Sequence, residues 1–157
     1  MKEFYQREIA RESGVSTGAA NQILRILTEK EITTCEKQGR MFFYRYNFQN
    51  PVARYFKILL NINELDELVK QLRHLCKRVV LFGSAADGSD VRDSDFDLLV
   101  LAADKEKVRS VINKYKLKTD RKLSPIIMSA GEFIELRSKD KPLHARILRG
   151  ITLWQVE

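Results

Sequence analysis

The stretch that decides the fold is Arg78-Val-Val-Leu-Phe-Gly-Ser-Ala-Ala-Asp-Gly88, followed after a short loop by Asp93-Ser-Asp-Phe-Asp-Leu-Leu-Val-Leu101. Two short apolar runs within it, Val79–Phe82 and Leu98–Leu101, have the length of buried strands and are bounded by turn residues. We therefore predict that the chain is organised around two buried strands, with polar residues at the end of the first and the start of the second.

The polar residues beside these strands predict a ligand site. Gly83 and Ser84 leave the first strand where the backbone must turn sharply and approach a ligand, because glycine permits close approach and serine adds a hydroxyl donor. Asp95 and Asp97 lie two residues apart, so the strand period places both carboxylates on one face. Two like charges so placed repel each other, and a divalent cation is the usual remedy.

This combination of motifs resembles the signature of the polymerase-beta-type nucleotidyltransferase superfamily, and in particular its minimal nucleotidyltransferase branch. The matching residues are Gly83-Ser84, a spacer containing Gly88, and Asp95-Phe96-Asp97 before an apolar strand. The resemblance implies that Gly83 and Ser84 bind the triphosphate of an NTP, and that Asp95 and Asp97 are the catalytic, Mg²⁺-binding carboxylates. One metal would lower the pKa of the nucleophile and a second would neutralise the pyrophosphate leaving group.

The sequence departs from the family pattern at two places. Active members have a third carboxylate on the next strand, whereas the matching run Leu123–Ser129 has none and is only flanked by Asp120 and Glu132. The family uses two Mg²⁺ sites, so the chain would retain either both or one. Asp87 stands where the family commonly has an arginine before Gly88, and its negative charge would oppose an anionic ligand.

Two functions stay open at this point. One is transfer of NMP from an NTP to a hydroxyl of an unknown acceptor, which includes a partner protein because relatives of this size include antitoxins that modify a toxin. The other is regulation by a catalytically degenerate domain that senses a nucleotide or mediates assembly. The missing carboxylate favours the second, whereas the intact Gly83-Ser84 and Asp95-x-Asp97 motifs favour retained binding of metal and nucleotide.

The first sixty-one residues predict a separate domain. Helices are expected at Tyr5–Ser13 and Thr17–Lys30, with strands at Ile32–Glu36 and Arg40–Tyr46 around a turn that ends at Gly39. The order helix, turn, helix, hairpin resembles a winged helix-turn-helix. Such domains normally have a further helix at the start, so another segment, a second subunit of a homodimer or a truncated start would account for its absence here.

The winged helix-turn-helix resemblance implies that the second helix enters the major groove of double-stranded DNA. The candidate contacts are polar or small residues of that helix and of the hairpin tip: Ser16, Thr17, Ala19, Asn21, Gln22, Arg25, Lys37, Gln38 and Arg40. The alternative is a solvated surface on a protein-interaction module.

Composition limits the class of protein. The chain has 157 residues, of which 44% are hydrophobic, and a formal net charge of +7. A positive balance suits nucleic acid or a triphosphate, although a soluble surface would show it as well. The longest apolar stretches are far short of a membrane span and the first residues do not form a signal peptide. Cys35 and Cys76 are isolated, so we expect a reduced, cytoplasmic protein without a membrane partner.

The remaining elements complete an α+β prediction: a winged helix-turn-helix over residues 1–61 and a small nucleotidyltransferase-type mixed sheet flanked by helices over residues 62–157. Helices are expected at Val52–Leu60 and Glu64–Cys76, separated at Asn61-Ile62-Asn63, and later at Lys105–Tyr115, at residues 129–136 and at Pro142–Leu148. Ser129 and Glu132 predict a capping box, and Pro125 predicts an edge position for its strand.

Three further groups of residues have a structural and a functional interpretation. Lys114, Lys116, Lys118, Arg121 and Lys122 form the densest basic run, which is either a solvated face or the path of a phosphate chain. Asp87, Asp90 and Asp93 are expected as loop acids. His74 and His144 lie singly on predicted helices and Trp154 lies in a terminal strand, so structural roles are expected for all three.

Overall fold

The computed structural model describes residues 3–91, 93–116, 119 and 121–156. The chain divides into two compact units, Met1–Lys57 and Ile58–Glu157, which are considered separately below. Among the described residues, no helix has both the length and the apolar character needed to cross a membrane. Lys118 and Asp120, which the sequence singled out, lie outside the described residues.

The first unit consists of two helices and a three-stranded antiparallel sheet. Its elements in chain order are β1 (Phe4–Tyr5), α1 (Gln6–Ser13), α2 (Thr17–Glu29), β2 (Thr33–Gln38) and β3 (Met41–Tyr46). The strands lie in the order β1-β3-β2, with β3 in the centre. The two expected helices and the hairpin are therefore present, whereas the short strand β1 was not predicted.

Turn chemistry sets the boundaries of these elements. Gly14 ends α1 in the left-handed region at φ +68°, and Gly39 forms the hairpin turn at φ +63°. The Ser16 hydroxyl accepts a hydrogen bond from the N–H of Ala19 and so caps α2. Leu24 is buried as expected, but Ile23, predicted on the same apolar stripe, is 48% exposed because it lies at the edge of that stripe.

A single helix, α3 (Pro51–Leu72), replaces the two helices that were predicted on either side of Asn61-Ile62-Asn63. The prediction of a break was wrong because Asn61 does not act as a cap or turn residue. Its side chain is buried and donates hydrogen bonds to the carbonyl of Ala85 and the carboxylate of Asp90, both at 2.9 Å. The compact units divide between Lys57 and Ile58, within this helix.

The second unit is a four-stranded mixed sheet with helices on both faces, as predicted. Its elements are β4 (Arg78–Phe82), α4 (Ser84–Asp87), β5 (Phe96–Leu101), α5 (Lys105–Lys116), β6 (Leu123–Met128), α6 (Ala130–Lys139), α7 (Lys141–Leu148) and β7 (Ile151–Gln155). The strand order is β6-β5-β4-β7, with β5 and β6 parallel and the other pairs antiparallel. Pro125 lies in the edge strand β6, which confirms that expectation.

Alternation along β4 and β5 divides the core between the two faces of this sheet. Val79, Leu81, Leu98 and Val100 pack with α3 and α5 on one face. Val80, Phe82, Leu99 and Leu101 pack on the other face with Ile147 of α7 and with partly buried side chains of α6. Asp97 precedes Leu99 by two residues, so it lies at the end of the face that α6 and α7 cover.

The N-terminus of α6 is capped as the sequence predicts. Ser129 and Glu132 form the predicted capping box of α6, and Lys105 lies 2.6 Å from the Glu132 carboxylate. The hydrogen bond from Lys105, together with the backbone and side-chain bonds of Ser129, lowers the pKa of Glu132 to about 2.

The tryptophan and the two histidines were expected to have structural roles. Trp154 is only partly buried, and the His144 ring lies 5.2 Å from that of Phe133. His74 is exposed in a turn after α3 and not on a helix.

Candidate functional site

The turn after β4 is built from Gly83 and Ser84. Gly83 adopts φ +74°, a conformation that favours glycine, and Ser84 begins α4. The Gly83 carbonyl accepts hydrogen bonds from the N–H groups of Ala86 (3.1 Å) and Asp87 (3.2 Å), which fixes the short helix against the end of the strand. Gly88 ends α4 in the left-handed region at φ +69°.

Glycine is also required at position 83 by its neighbours. Phe82 of β4 pairs with Asp97 of β5, so the next residue along β4 lies beside the Asp97 side chain. A Cβ atom at position 83 would overlap Oδ2 of Asp97 and would lie 3.5 Å from Nη2 of Arg146. The backbone turn and the Asp97 carboxylate are therefore in direct contact, and glycine is the residue that permits it.

The two predicted carboxylates lie at the start of β5. Asp95 is exposed immediately before the strand, and Asp97 is partly buried within it. Burial raises the pKa of Asp97, the Arg146 guanidinium opposes that shift, and the Asp95 carboxylate adds to it. The influence of Asp95 on Asp97 is the repulsion expected from two acids on one side of a strand, and a cation bound between them would relieve it.

Arg146 is a member of the site that the sequence did not reveal. Its Nη2 lies 3.5 Å from Oδ2 of Asp97, and its guanidinium carbon lies 5.7 Å from the centre of the Phe82 ring. It belongs to α7, forty-nine residues after Asp97, in a helix without any recognisable motif. Only the packing of α7 on the sheet brings the guanidinium to the carboxylates.

The neighbouring strand β6 places no carboxylate beside Asp97. Asp97 is in register with Ser124, and the β6 residues on the same face are Ser124, Ile126 and Met128. Glu132, one of the acids that flank this strand, is engaged by Lys105 and by the cap of α6. Within the described ranges, no group of three or more His, Cys, Asp or Glu side chains is arranged to hold a metal ion.

The residues present do fit one hard divalent cation. Two carboxylates and the Ser84 hydroxyl supply only oxygen donors, which Mg²⁺ prefers. Mg²⁺ typically binds through one or two carboxylates and completes its coordination with water and substrate phosphates. Glycine at position 83 keeps the backbone of the turn directly beside the Asp97 carboxylate.

A buried polar network supports the loop that carries Asp95. Asp90 lies in the loop after α4, as expected, but its side chain is fully buried, and Nη2 of Arg121 lies 3.0 Å from its carboxylate. Nη1 of Arg121 donates to Oδ1 of Asn61 at 2.9 Å, and the guanidinium stacks 3.7 Å from the centre of the Phe96 ring. A buried carboxylate requires a charged, hydrogen-bonded partner, and this partner, which the sequence did not reveal, is distant along the chain.

The basic run divides between two places. Lys116, Arg121 and Lys122 line a cavity of about 330 Å³ whose wall also includes Asp95 and Ser124. Lys114 lines a different depression on the outer side of α5. Two lysines, one arginine and Asp95 therefore line the same cavity.

The candidate DNA-contacting residues of the first unit, Ser16, Thr17, Asn21, Gln22, Arg25, Lys37 and Arg40, are all exposed. Thr17, Asn21 and Arg25 are spaced four residues apart, so they share one face of α2. Ser16 is the helix cap, and Arg25 pairs with Glu29 at 2.9 Å. Lys37 lies over the Phe42 ring at 5.9 Å.

Comparison with known proteins shows the family to which the second unit belongs. Residues 63–156 match the family described as Polymerase beta, Nucleotidyltransferase, and the chain belongs to that family. A protein of Methanocaldococcus jannaschii, MJ0141, provisionally named a protein adenylyltransferase, is 35% identical over 78 residues, which cover 41% of this chain and 79% of that protein. The protein adenylyltransferase MntA of Shewanella oneidensis is 30% identical over 96 residues, which cover 60% of this chain and 66% of MntA.

One solved structure is also similar. It is a chain from the crystal structure of a toxin–antitoxin with AMP-PNP, with 27% sequence identity and a TM-score of 0.45. The match covers 62% of this chain and 75% of that chain.

Proposed function

We propose that the second unit binds ATP with Mg²⁺ and transfers AMP to a hydroxyl group of a protein. The observation that carries this proposal is the contact between the Gly83 turn and the Asp97 carboxylate, which joins a phosphate-binding turn to a metal ligand in a chain of the nucleotidyltransferase family. The choice of adenylyl transfer and of a protein acceptor is supported by the activity named for the two relatives.

Each residue has a role that its position supports. Gly83 lets the backbone of the turn lie against the Asp97 carboxylate, and the hydroxyl and N–H of Ser84, the next residue, would be donors for the oxygens of the triphosphate. Asp95 and Asp97 would hold Mg²⁺, which neutralises phosphate charge and lowers the pKa of an attacking hydroxyl when bound. The acceptor oxygen bonds to the α-phosphorus, the bond to the bridging oxygen breaks, pyrophosphate leaves, and the hydroxyl proton passes to water.

The test is a transfer assay with two positions of the label. The protein is incubated with Mg²⁺ and ATP labelled on either the α- or the γ-phosphate, alone and with a nucleotide-depleted lysate of its source cells. The proposal predicts that α-label becomes attached to a protein, that γ-label does not, and that Asp95→Asn/Asp97→Asn abolishes the signal. Attachment of γ-label would indicate phosphoryl transfer and contradict the proposal.

A second function is favoured by Ser124, which stands in register with Asp97 on the strand where active relatives carry a third carboxylate. In this alternative, the second unit binds Mg-ATP without turnover and regulates the first unit. The first unit would then be a winged helix-turn-helix that binds double-stranded DNA in the cytoplasm through α2 and the hairpin tip. The exposed polar face at Thr17, Asn21 and Arg25 supports this role.

The substitution Ser124→Asp separates the two functions, and Ser124→Asn is its neutral control. Transfer by the unchanged chain would establish the enzyme. If only Ser124→Asp transfers AMP, the natural chain binds nucleotide without catalysis, since the added carboxylate completes the metal ligands. For the DNA-binding role, the affinity for a random-sequence duplex is measured at several salt concentrations. Arg25→Ala and Lys37→Ala should each reduce the slope of log affinity against log salt concentration by about one, which corresponds to the loss of one phosphate contact.

A further inference from the structure

We infer that Arg146 is a nucleotide-binding residue: with a single Mg²⁺, it completes the site by exchanging its contact with Asp97 for a contact with the phosphates of the nucleotide. This inference rests on the proposed binding of Mg-ATP and concerns how a site with only two carboxylates holds a triphosphate. The Gly83-Ser84 and Asp95-x-Asp97 residues lie outside α7, so the assignment of Arg146 comes from the packing of the second unit.

The position of the guanidinium supports this role. Arg146 reaches both halves of the site, since its Nη2 lies 3.5 Å from Oδ2 of Asp97 and 3.5 Å from where a Cβ on Gly83 would be. A phosphate that approaches the Gly83 turn therefore meets the guanidinium. The stack of the Arg146 guanidinium on the Phe82 ring, at 5.7 Å, keeps the group at the site when its polar partner changes.

The contact with Asp97 is one that can be exchanged at small cost. It lies at the outer limit of hydrogen bonding, and the Arg146 side chain is 51% exposed. Ion pairs with this exposure contribute little to stability. A guanidinium binds phosphate oxygens through two parallel charge-assisted hydrogen bonds, which are stronger than a single long contact to a carboxylate.

The charges of the described residues favour one metal ion over two. Asp95, Asp97 and Arg146 together carry a net charge of −1, and one divalent cation makes it +1, which suits a polyanionic nucleotide. A second divalent cation would have to share the same two carboxylates while lying close to the guanidinium, which repels it. Arg146 thus supplies the positive charge that a second metal would otherwise bring to the phosphates.

This role predicts that removal of Arg146 changes the affinity for the metal ion and the affinity for the nucleotide in opposite directions. Without nucleotide, Arg146 and a cation compete for Asp97, so Arg146→Ala should strengthen metal binding by about two- to fivefold. With nucleotide, the loss of a charge-assisted phosphate contact should weaken ATP binding by about tenfold to a hundredfold. AMP, which lacks the β- and γ-phosphates, should be much less affected. A purely structural arginine would weaken all three together.

The experiment measures binding and needs no catalytic turnover. Mn²⁺ binding to the full chain is followed by electron paramagnetic resonance, and binding of AMP and of the α,β-methylene analogue of ATP with Mg²⁺ is followed by calorimetry. Arg146→Ala and Arg146→Lys are compared with Arg149→Ala, which removes the same charge from an exposed arginine at the end of the same helix. Thermal melts confirm that each variant is folded.

The expected result is one Mn²⁺ per chain in the complex with the analogue, opposite changes for metal and analogue in Arg146→Ala, partial recovery in Arg146→Lys, and unchanged binding in Arg149→Ala. Two Mn²⁺ ions per chain, or analogue affinity in Arg146→Ala equal to that of the unchanged chain, would overturn the inference while leaving the proposed function in place. Failure of the unchanged chain to bind the analogue with Mg²⁺ would overturn both.

Discussion

The two units differ in what holds their polar residues in position. In the first unit, the buried apolar residues are Ala10, Ala20, Leu24 and Ala53, and the candidate DNA-contacting side chains are exposed on one helix and a hairpin tip. In the second unit, β4 and β5 are buried on both faces, and Asp97 at the start of β5 lies against a glycine turn and an arginine. Chemistry that needs fixed geometry is thus attached to the sheet, whereas the exposed surface of the first unit suits contacts that adapt to a partner.

The largest expected difference between the units is in thiol reactivity. Cys35 is exposed on β2, whereas Cys76 is buried before β4, and burial raises the pKa of its thiol to about 11. A shift of this size lowers the thiolate fraction by about a hundredfold at neutral pH, and burial excludes the reagent as well. Labelling with a disulfide reagent should therefore show one fast thiol and one that reacts only on unfolding. Each thiol is measured alone, Cys76 in the Cys35→Ser variant and Cys35 in the Cys76→Ser variant. Equal labelling rates in the two folded variants would contradict the difference in burial.

The next largest expected difference is the loss of stability when an apolar side chain is truncated in each unit. Leu98→Ala removes a fully buried side chain from β5 and should lower the free energy of unfolding by about 2 to 5 kcal/mol. Ile23→Ala removes a side chain that is about half exposed and should have a smaller effect, near 1 kcal/mol or less by the same reasoning. Trp154, the single tryptophan, lies in β7 and reports unfolding of the second unit in urea. A shift of that transition by Ile23→Ala as large as that by Leu98→Ala would contradict this account.

Two glycines with similar backbone angles provide a matched pair for the site. Gly83→Ala and Gly39→Ala both introduce a side chain at positive φ, at a cost of about 1 kcal/mol each. A Cβ at position 83 overlaps the Asp97 carboxylate, whereas one at position 39 has no described atom within 4 Å. Gly83→Ala should weaken binding of Mg-ATP about tenfold or more, because Asp97 must move. Calorimetry on both variants makes the comparison, and equal affinities would exclude Gly83 from the site.

The smallest expected effect concerns the cap of α6. The pKa of Glu132 lies at about 2 in the folded chain, below its ordinary value of 4.5, so its contribution to stability is present above pH 4.5 and is lost as the pH falls towards 2. Glu132→Gln should therefore be less stable than the unchanged chain at pH 7, with the gap closing on acidification. Urea melts across this pH range measure the difference, and a constant gap would show that the charge of Glu132 is not responsible.

Local patterns in the sequence were sufficient for the parts of the fold that depend on nearby residues. The apolar runs of β4 and β5, the Gly83-Ser84 turn, the acid pair and the Ser129–Glu132 cap each occupy a few consecutive positions, and their signals could be read directly. Family membership followed from the same motifs.

Contacts between distant residues could not be predicted in this way. Arg146 meets Asp97 across 49 residues, and Arg121 meets Asn61 across 60, without any periodic pattern that connects them. Asn61 shows the consequence, because its side chain was interpreted locally as a helix boundary while it is used in a tertiary hydrogen-bond network. The burial of Asp90 and its ion pair with Arg121 likewise depend on residues that are distant in sequence.

The central claim is that the acid pair at the start of β5 and the turn after β4 form one Mg²⁺-dependent nucleotide site. Calorimetric titration of Mg-ATP into the unchanged chain and into Asp95→Asn/Asp97→Asn tests it most directly. The control is Asp66→Asn/Asp93→Asn, which removes two exposed aspartates, one on α3 and one in the loop two residues before Asp95. The account predicts binding that requires Mg²⁺, is lost in the first variant and is retained in the control. Equal affinity in all three proteins, or binding that does not change when Mg²⁺ is chelated, would contradict it.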